Sequence, residues 1–257
     1  MTKNKKYELT DETIEFCGST LHRIRALRGF GTIPKGELGG FVASEANLSH
    51  RGTCWVHDDA CVSFSASVED DAQIMDCARV SNRARISGDA IVSESAWITD
   101  DARVERYARV FGVARVSGVA TIKDYALVYG EAMVDGYANI GGHSDIGGNT
   151  EVSGNAEVSI LDIPEALPMG AVIRGRARIL HLKDITVINP LGSRGDRLTA
   201  YRSEFGGIEV STGCFQGTLE EFAKQVKLSH GRNQYGKEYQ AAIAFIKKFF
   251  SIDRGLD

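Results

Sequence analysis

The sequence predicts a mainly β protein whose central part is a parallel β-helix of triangular coils, and three observations support this fold class. A small residue recurs every six positions from Cys54 to Ala156, and alanine occupies 15 of these 18 positions. The second residue after each of them is Val or Ile in all 18 cases. The fourth is Gly, Asp or Asn in 14 of 17 cases, the exceptions being Phe64, Glu94 and Arg106.

Each six-residue repeat predicts one short strand followed by one tight turn. Side chains alternate along a strand, so the small residue and the Val or Ile two positions later share a face. Branched side chains suit a pleated surface, and Gly, Asn and Asp tolerate the positive φ of a turn. Three repeats close one triangular coil, so the 18 repeats from 54 to 158 give 18/3 = 6 coils. Ala171 and Ala177 restart the pattern and add a partial seventh coil.

The flanking segments predict a cap before the β-helix and a small α+β module after it. Residues 1–45 contain short alternating runs with a turn at Cys17-Gly18, which indicates a β-hairpin or meander covering the first coil. The β-helix itself is assigned to 46–180. Residues 181–257 begin with several short strands, followed by a helix that starts at the capping box of Thr218 and ends near residue 228. Residues 229–236 read as a turn, and a second helix is expected from residue 238 to about 250.

Composition excludes several classes of function. The net charge of -4 and the pI of about 5.9 argue against bulk binding to nucleic acid or to membranes. We expect no signal peptide and no membrane span, and hence a cytoplasmic protein. The five cysteines are odd in number and form no C-x-x-C pair, so we expect neither a metal site nor a disulfide framework. The sequence predicts no cofactor.

The order of residues within each repeat resembles a known superfamily. Val104-Glu105-Arg106-Tyr107-Ala108 places an aliphatic residue first and a small residue fifth, as in the hexapeptide-repeat proteins. That resemblance implies a left-handed β-helix and side-by-side trimers, and many such proteins are acyltransferases that use a histidine as general base. The segments KYELTDET and KGELGGFV resemble the start of prophage-encoded and YdcK-like proteins, and LTAYRSEFGGIEVSTG resembles a module of phage-encoded proteins. A phage origin would place the protein in the host cytoplasm.

Outward positions separated by three repeats stack on one side of the β-helix, so their chemistry can be predicted. One side collects apolar and aromatic residues around an arginine, with Met75 and Ile91 before them. The predicted ligand or subunit interface consists of Tyr107, Arg109, Phe111, Tyr125, Leu127 and Tyr129. The alternative is that the chain's own C-terminal module covers these side chains.

Arginines form a second outward pattern. Arg85 and Arg103 stack on one side, and Arg79 and Arg115 lie on another side with Trp97 between them. These four residues are a possible anion-binding site, since guanidinium groups bind phosphate in a bidentate manner. The alternative is a charge ladder neutralised inside the chain, in which Glu69 and Glu105 lie diagonal to Arg85 and Arg83 stacks over Asp101.

Three hypotheses for function follow. The first is a non-enzymatic, oligomeric scaffold that binds a host protein or sequesters a small anionic, nucleotide-like ligand. The second is an acyl-CoA-dependent acyltransferase, for which His143 at an outward corner is the weak catalytic candidate. The third is a structural protein that assembles end to end. We expect a homo-oligomer, with a trimer first and a dimer second.

Overall fold

The computed structural model of the chain describes residues 5–251, and for residues 162–165 it describes the backbone only. The central part is a parallel β-helix of about 8 turns, which confirms the predicted fold class. Every alanine of the repeat is at most 1% exposed, and every Val or Ile two positions later is fully buried. These side chains form one continuous core along the axis, because each coil stacks the same residue types on those of the coil before it.

The N-terminal segment is a hairpin that continues into the β-helix. Strands β1 (Tyr7–Phe16) and β2 (Ser19–Ala26) pair antiparallel, with the turn at the predicted Cys17 and Gly18. Strand β3 (Leu38–Val42) pairs antiparallel with β2 and parallel with a strand of the first regular coil. Together with Leu48, which bridges to Val68, β3 forms an extra coil before the repeat begins. The repeat count missed this coil because it lacks the six-residue spacing.

The strands of the coils then follow in chain order: β4 (Trp55–Val56), β5 (Cys61–Val62), β6 (Ser67–Val68), β7 (Gln73–Ile74), β8 (Arg79–Val80), β9 (Arg85–Ile86), β10 (Ile91–Val92), β11 (Trp97–Ile98), β12 (Arg103–Val104), β13 (Arg109–Val110), β14 (Arg115–Val116), β15 (Thr121–Ile122), β16 (Leu127–Val128), β17 (Met133–Val134), β18 (Asn139–Ile146), β19 (Glu151–Val152), β20 (Glu157–Ala166), β21 (Val172–Ile173) and β22 (Arg178–Ile179).

Parallel pairing arranges these strands into three faces. Face 1 contains β4, β7, β10, β13, β16 and the end of β18. Face 2 contains β3, β5, β8, β11, β14, β17, β19 and β21. Face 3 contains β6, β9, β12, β15, the start of β18, β20 and β22. Within the regular coils each residue pairs with the one three repeats later, as the sequence predicts.

The turns between faces adopt the left-handed conformation, including those that depart from Gly, Asp or Asn. Phe64, Glu94 and Arg106 have φ values of 55°, 58° and 61°. Several turn aspartates also accept a hydrogen bond from the backbone N–H of the turn one coil later. One of them is Asp100, whose Oδ2 lies 3.1 Å from the nitrogen of Gly118. The turns are therefore bonded to one another along each corner.

One corner near the C-terminal end contains an insertion. Val134 pairs with Val152, and Val152 pairs in turn with Ile173. The sequence separation is 152 − 134 = 18 for the first pair and 173 − 152 = 21 for the second, so the later coil is longer by three residues. The additional residues fall within β20, where the pairing with β18 shifts between Gly142 and Ser144. Val152 and Ile173 are both fully buried, so the core continues past the insertion.

The C-terminal module covers the last coil. It contains the strands β23 (Ile185–Leu191), β24 (Asp196–Arg202), β25 (Ile208–Thr212) and β26 (Phe215–Thr218), and the helices α1 (Leu219–His230) and α2 (Gln234–Ser251). Short 3-10 helices span Glu45–Asn47 and Leu182–Asp184. Within residues 5–251, no helix is long and apolar enough to cross a membrane.

The second helix begins four residues earlier than the sequence predicts. The turn spans only residues 231–233, because the side chain of Asn233 accepts a hydrogen bond from the Gly236 nitrogen at 2.8 Å and caps α2. A Cβ on Gly236 would lie 2.5 Å from the carbonyl oxygen of Gly231, so glycine allows this tight approach. The predicted capping box of Thr218 and Glu221 is present at the start of α1.

Candidate functional site

The outward side of face 1 brings the predicted strip together in register. Arg109 pairs with Ile91 in the coil before it and with Leu127 in the coil after it. Leu127 pairs in turn with Asp145, which therefore lies on the same side of the β-helix. We call Ile91, Arg109, Leu127 and Asp145 the face-1 column. Asp145 is not among the residues that the sequence predicts for this strip.

A stack of aromatic rings lies along the corner that leads into face 1. The rings of Tyr107 and Tyr125 are 4.9 Å apart and inclined by 5°, and those of Tyr125 and His143 are 5.0 Å apart and inclined by 8°. We call these three residues the corner stack. Tyr107 is 50% exposed and Tyr125 is 53% exposed, so much of this aromatic surface faces solvent.

A second pair of rings lies at the other side of the face-1 column. Phe111 and Tyr129 stack at 5.1 Å with an inclination of 6°. The ring of Tyr129 covers Gly147, where a Cβ would lie 2.4 Å from the Tyr129 Cζ atom. Interaction with the Asp145 carboxylate, together with partial burial, raises the pKa of the Tyr129 hydroxyl. We call the column, the corner stack and this ring pair the face-1 strip.

One coil beyond His143 the same corner carries Leu161, an apolar side chain that the sequence prediction did not include. Gly142 pairs with Ile160, which places Leu161 in the coil beneath His143, and Leu161 is 67% exposed. The insertion in β20 hid this position, because the repeat loses its phase there. At the other end, Ser93 occupies the position between Met75 and Phe111, so the rings do not extend to Met75.

The C-terminal module does not cover the aromatic rings of the corner stack. It sits on the last coil, where the nitrogen of Val172 donates to Thr199 Oγ1 at 3.0 Å and the nitrogen of Arg174 donates to the Tyr201 hydroxyl at 3.2 Å. Tyr107 and Tyr125 lie several coils away and remain half exposed. The alternative in which the chain's own module covers the strip is therefore wrong for these rings.

Arg85 and Arg103 are neighbours on face 3, as the sequence predicts. Neither arginine forms a salt bridge within residues 5–251. Glu69 and Glu105 therefore do not form ion pairs with them, as the alternative of a neutralised charge ladder would require. The adjacent corner does contain a pair, in which Arg83 and Asp101 approach to 2.6 Å. Hydrogen bonding to Arg83 lowers the pKa of Asp101, and the charges of Arg103 and Arg85 contribute to the shift.

Arg79 and Arg115 lie on face 2 with Trp97 between them. The guanidinium of Arg115 is 5.8 Å from the centre of the Trp97 ring, and that of Arg79 is 5.2 Å from the ring of Phe16. Sequence reasoning missed the second contact, because Phe16 belongs to the hairpin and not to the repeat. Each of these two arginines therefore has an aromatic partner inside the chain.

Arg109 and His143 have no polar partner in the part of the chain that the structure describes. Arg109 is exposed and forms neither a hydrogen bond nor a salt bridge there. His143 stacks on Tyr125 but has no hydrogen bond among the described residues. A general base is normally oriented by such a bond, so the geometry around His143 supplies a ring but no orienting group.

The C-terminal module contains two cavities that the sequence did not predict. One is an apolar groove of about 580 Å³ between β23 and α2, lined by Val187, Leu191, Ala241 and Phe245. The other has a volume of about 170 Å³ and is lined by Asp196, Cys214, Phe222, His230 and Tyr239. Both depend on how the helices pack on the sheet, and helix periodicity alone does not specify that packing.

No protein-family model and no curated protein matches the chain.

Proposed function

We propose that the protein is a non-enzymatic, oligomeric β-helix scaffold that binds another molecule through the face-1 strip. One observation carries this proposal: two stacks of aromatic rings flank an exposed, unpaired arginine on an open face, all within the described part of the chain. Exposed apolar side chains are ordinary when scattered, but a contiguous patch of them usually marks an interaction site. Tyrosine and arginine are also enriched at the centres of interfaces.

The chemistry of the strip supports two kinds of bound molecule. Arg109 can pair with a phosphate or carboxylate, while the rings beside it offer flat surfaces for stacking. A small anionic, nucleotide-like ligand would use both features. A host protein would use them through an aromatic side chain and a carboxylate. The resemblance of the flanks to prophage-encoded hexapeptide-repeat proteins supports an accessory role of this kind during phage growth.

Native mass spectrometry of protein purified gently from its producing cell tests the proposal. We expect a discrete oligomer that carries either a phosphate-containing small molecule or a second protein, released on denaturation. Arg109→Glu should remove the bound molecule, because the substitution places a negative charge between the ring stacks. Arg115→Glu is the matched control, since Arg115 occupies the same position of the same coil on face 2 but its guanidinium already lies against the Trp97 ring of its own chain. A bare monomer, or equal binding by the Arg109 variant, would contradict the proposal.

Acyl transfer is the alternative, and the position of His143 on an outward corner favours it. Calorimetric titration with acetyl-CoA tests it, because absence of binding heat would contradict the acyltransferase. Binding alone would not support it, since acetyl-CoA is itself an anionic nucleotide that the strip could hold. Release of free CoA that His143→Ala abolishes would support the acyltransferase over the scaffold. End-to-end assembly has less support, because the hairpin and the C-terminal module cover the two ends of the β-helix.

A further inference from the structure

In the face-1 column, opposite charges lie at equal distances on the two sides of Leu127. Arg109, Leu127 and Asp145 occupy successive coils in strict register, so each is one coil, about 4.8 Å, from the next. A positive side chain therefore lies on one side of Leu127, and a negative one lies at the same distance on the other. A two-fold rotation about an axis beside Leu127 exchanges these two positions.

Both charges are incompletely satisfied within the chain. Arg109 is exposed and has no salt bridge or hydrogen bond among residues 5–251. The Asp145 carboxylate interacts with the Tyr129 hydroxyl, and its Oδ1 atom is buried by the chain itself. It forms no salt bridge in the described part of the chain. Because Asp145 is only partly buried, an external guanidinium can approach the side of the carboxylate that the chain leaves open.

We infer that face 1 is the interface of an antiparallel homodimer, in which Arg109 of each copy pairs with Asp145 of the other. The inference rests on the proposed function, in which the face-1 strip is the binding surface, and it assigns that surface to a second copy of the chain in place of a nucleotide-like ligand or a host protein. A two-fold axis that lies in the interface and crosses the β-helix at Leu127 keeps each column opposite itself and reverses its direction. The interface then contains two equivalent salt bridges with the two Leu127 side chains between them.

The same symmetry places the exposed rings against one another. Tyr125 lies in the coil of Leu127 and therefore faces its own copy across the axis. Tyr107 faces His143 of the second molecule, since these residues lie one coil before and one coil after Tyr125. Contact between the corner stacks would remove the half-exposed tyrosines from water, which supplies the apolar part of the interface.

A side-by-side trimer with parallel axes offers Arg109 only one carboxylate that has no partner among the described residues, that of Glu105. Rotation about a parallel axis keeps every coil at its own level, so Arg109 would meet residues within half a coil of it, at positions 100–118. The acidic residues in that range are Asp100, Asp101 and Glu105. Asp100 and Asp101 are already bonded within the chain, and Glu105 lies across the corner stack, where β12 ends on face 3. The order of charge therefore favours the antiparallel dimer over the trimer that the resemblance implies.

Face 2 shows a similar order of residues in which both charges have partners inside the chain. Arg115, Met133 and Glu151 occupy successive coils there. Glu151 forms a salt bridge with Arg174 at 3.2 Å, and Arg115 lies over the Trp97 ring. Face 2 therefore provides a control with matched residue types, because reversal of Arg115 should leave the association unchanged.

Charge reversal and mixing test the dimer directly, with sedimentation velocity as the readout. Arg109→Glu creates two repulsive contacts with Asp145, and Asp145→Arg creates two with Arg109. Each variant alone should dimerise about 100-fold more weakly, about tenfold for each of the two equivalent contacts. A mixture of the two variants should dimerise again, because both cross-pairs in the heterodimer have opposite charges.

Circular dichroism of each variant establishes that it is folded. If Asp145→Arg fails to fold, the pair Leu127→Arg and Leu127→Glu replaces the charge-reversal pair, because a mixture of these two variants places opposite charges at the axis. Leu127→Arg should also prevent dimerisation, since it places two like charges at the axis. Weak association of both single variants together with recovery in the mixture supports the inference. A wild-type trimer, or a dimer that Arg109→Glu leaves intact, overturns it while the oligomeric scaffold stands. A wild-type monomer overturns the dimer and the oligomeric scaffold together.

Discussion

Asp100 offers a test of how the corners of the β-helix are stabilised. It has a φ of 60°, in the left-handed region that glycine adopts more readily than other residues. Its Oδ2 accepts a hydrogen bond from the Gly118 nitrogen at 3.1 Å, and its Oδ1 accepts one from Asn82 Nδ2 at 3.0 Å. Two substitutions, Asp100→Ala and Asp100→Gly, separate the contribution of these bonds from that of the backbone conformation.

The magnitudes follow from those contacts. Loss of two exposed hydrogen bonds costs about 1–2 kcal/mol in both variants. Alanine adopts the left-handed conformation at a further cost of about 1 kcal/mol. Glycine adopts it without this cost, but its greater conformational entropy in the unfolded state cancels part of that advantage. We expect Asp100→Ala to lower the free energy of unfolding by about 2–3 kcal/mol. Asp100→Gly should lower it by about 1–2 kcal/mol.

Urea unfolding followed by circular dichroism measures both values. The decisive quantity is the sign of the difference between the two variants, because glycine is normally the less stable of the pair in a strand. The exposed residue Asp135 does not have a positive φ, so there the alanine variant should be more stable than the glycine variant. If Asp100→Ala proved as stable as Asp100→Gly, the argument from left-handed turns would be wrong.

Two further predictions concern local packing and pH. Gly147→Ala should displace the Tyr129 ring, since a Cβ there would lie 2.4 Å from the Tyr129 Cζ atom. The substitution should lower the free energy of unfolding by about 1–3 kcal/mol and the melting temperature by several degrees. Gly207→Ala is the control, because a Cβ at that position would meet no atom within 4 Å. Hydrogen bonds from Thr218 lower the pKa of Glu221, so its contribution is present above the unfolded pKa and is lost as pH falls through the folded pKa. Glu221→Gln should therefore reduce the acid sensitivity of thermal unfolding, and an unchanged pH profile would contradict the capping-box assignment.

The regular part of the fold could be predicted from sequence because one structural unit recurs with a fixed period. Residues at equivalent positions of successive coils have equivalent neighbours, so the burial of a residue such as Ala114 follows from its position in the repeat. The ends could not be predicted in this way. Strand β3 pairs with β5 without sharing the six-residue spacing, and Phe16 reaches Arg79 only because the hairpin folds over face 2.

The candidate site was predictable in its composition but not in its contacts. The spacing of three repeats placed Tyr107 above Tyr125, and the structure stacks their rings at 4.9 Å. Spacing could not show whether the C-terminal module covers those rings, since that depends on where β24 crosses the last coil. It also could not show that Oδ1 of Asp145 is buried without a hydrogen-bond partner among the described residues. Such facts depend on side-chain conformation, for which a repeat provides no rule.

The insertion at the corner within β20 has a consequence for how this chain tolerates change in length. Extra residues at a corner lengthen the path around one coil but leave the inward side chains of the next coil stacked on those before it. An odd-numbered addition in the middle of a face would instead turn the following Val or Ile out of the interior. Corners are therefore the places where foreign peptides could be grafted onto this molecule, and where related chains should differ most in length.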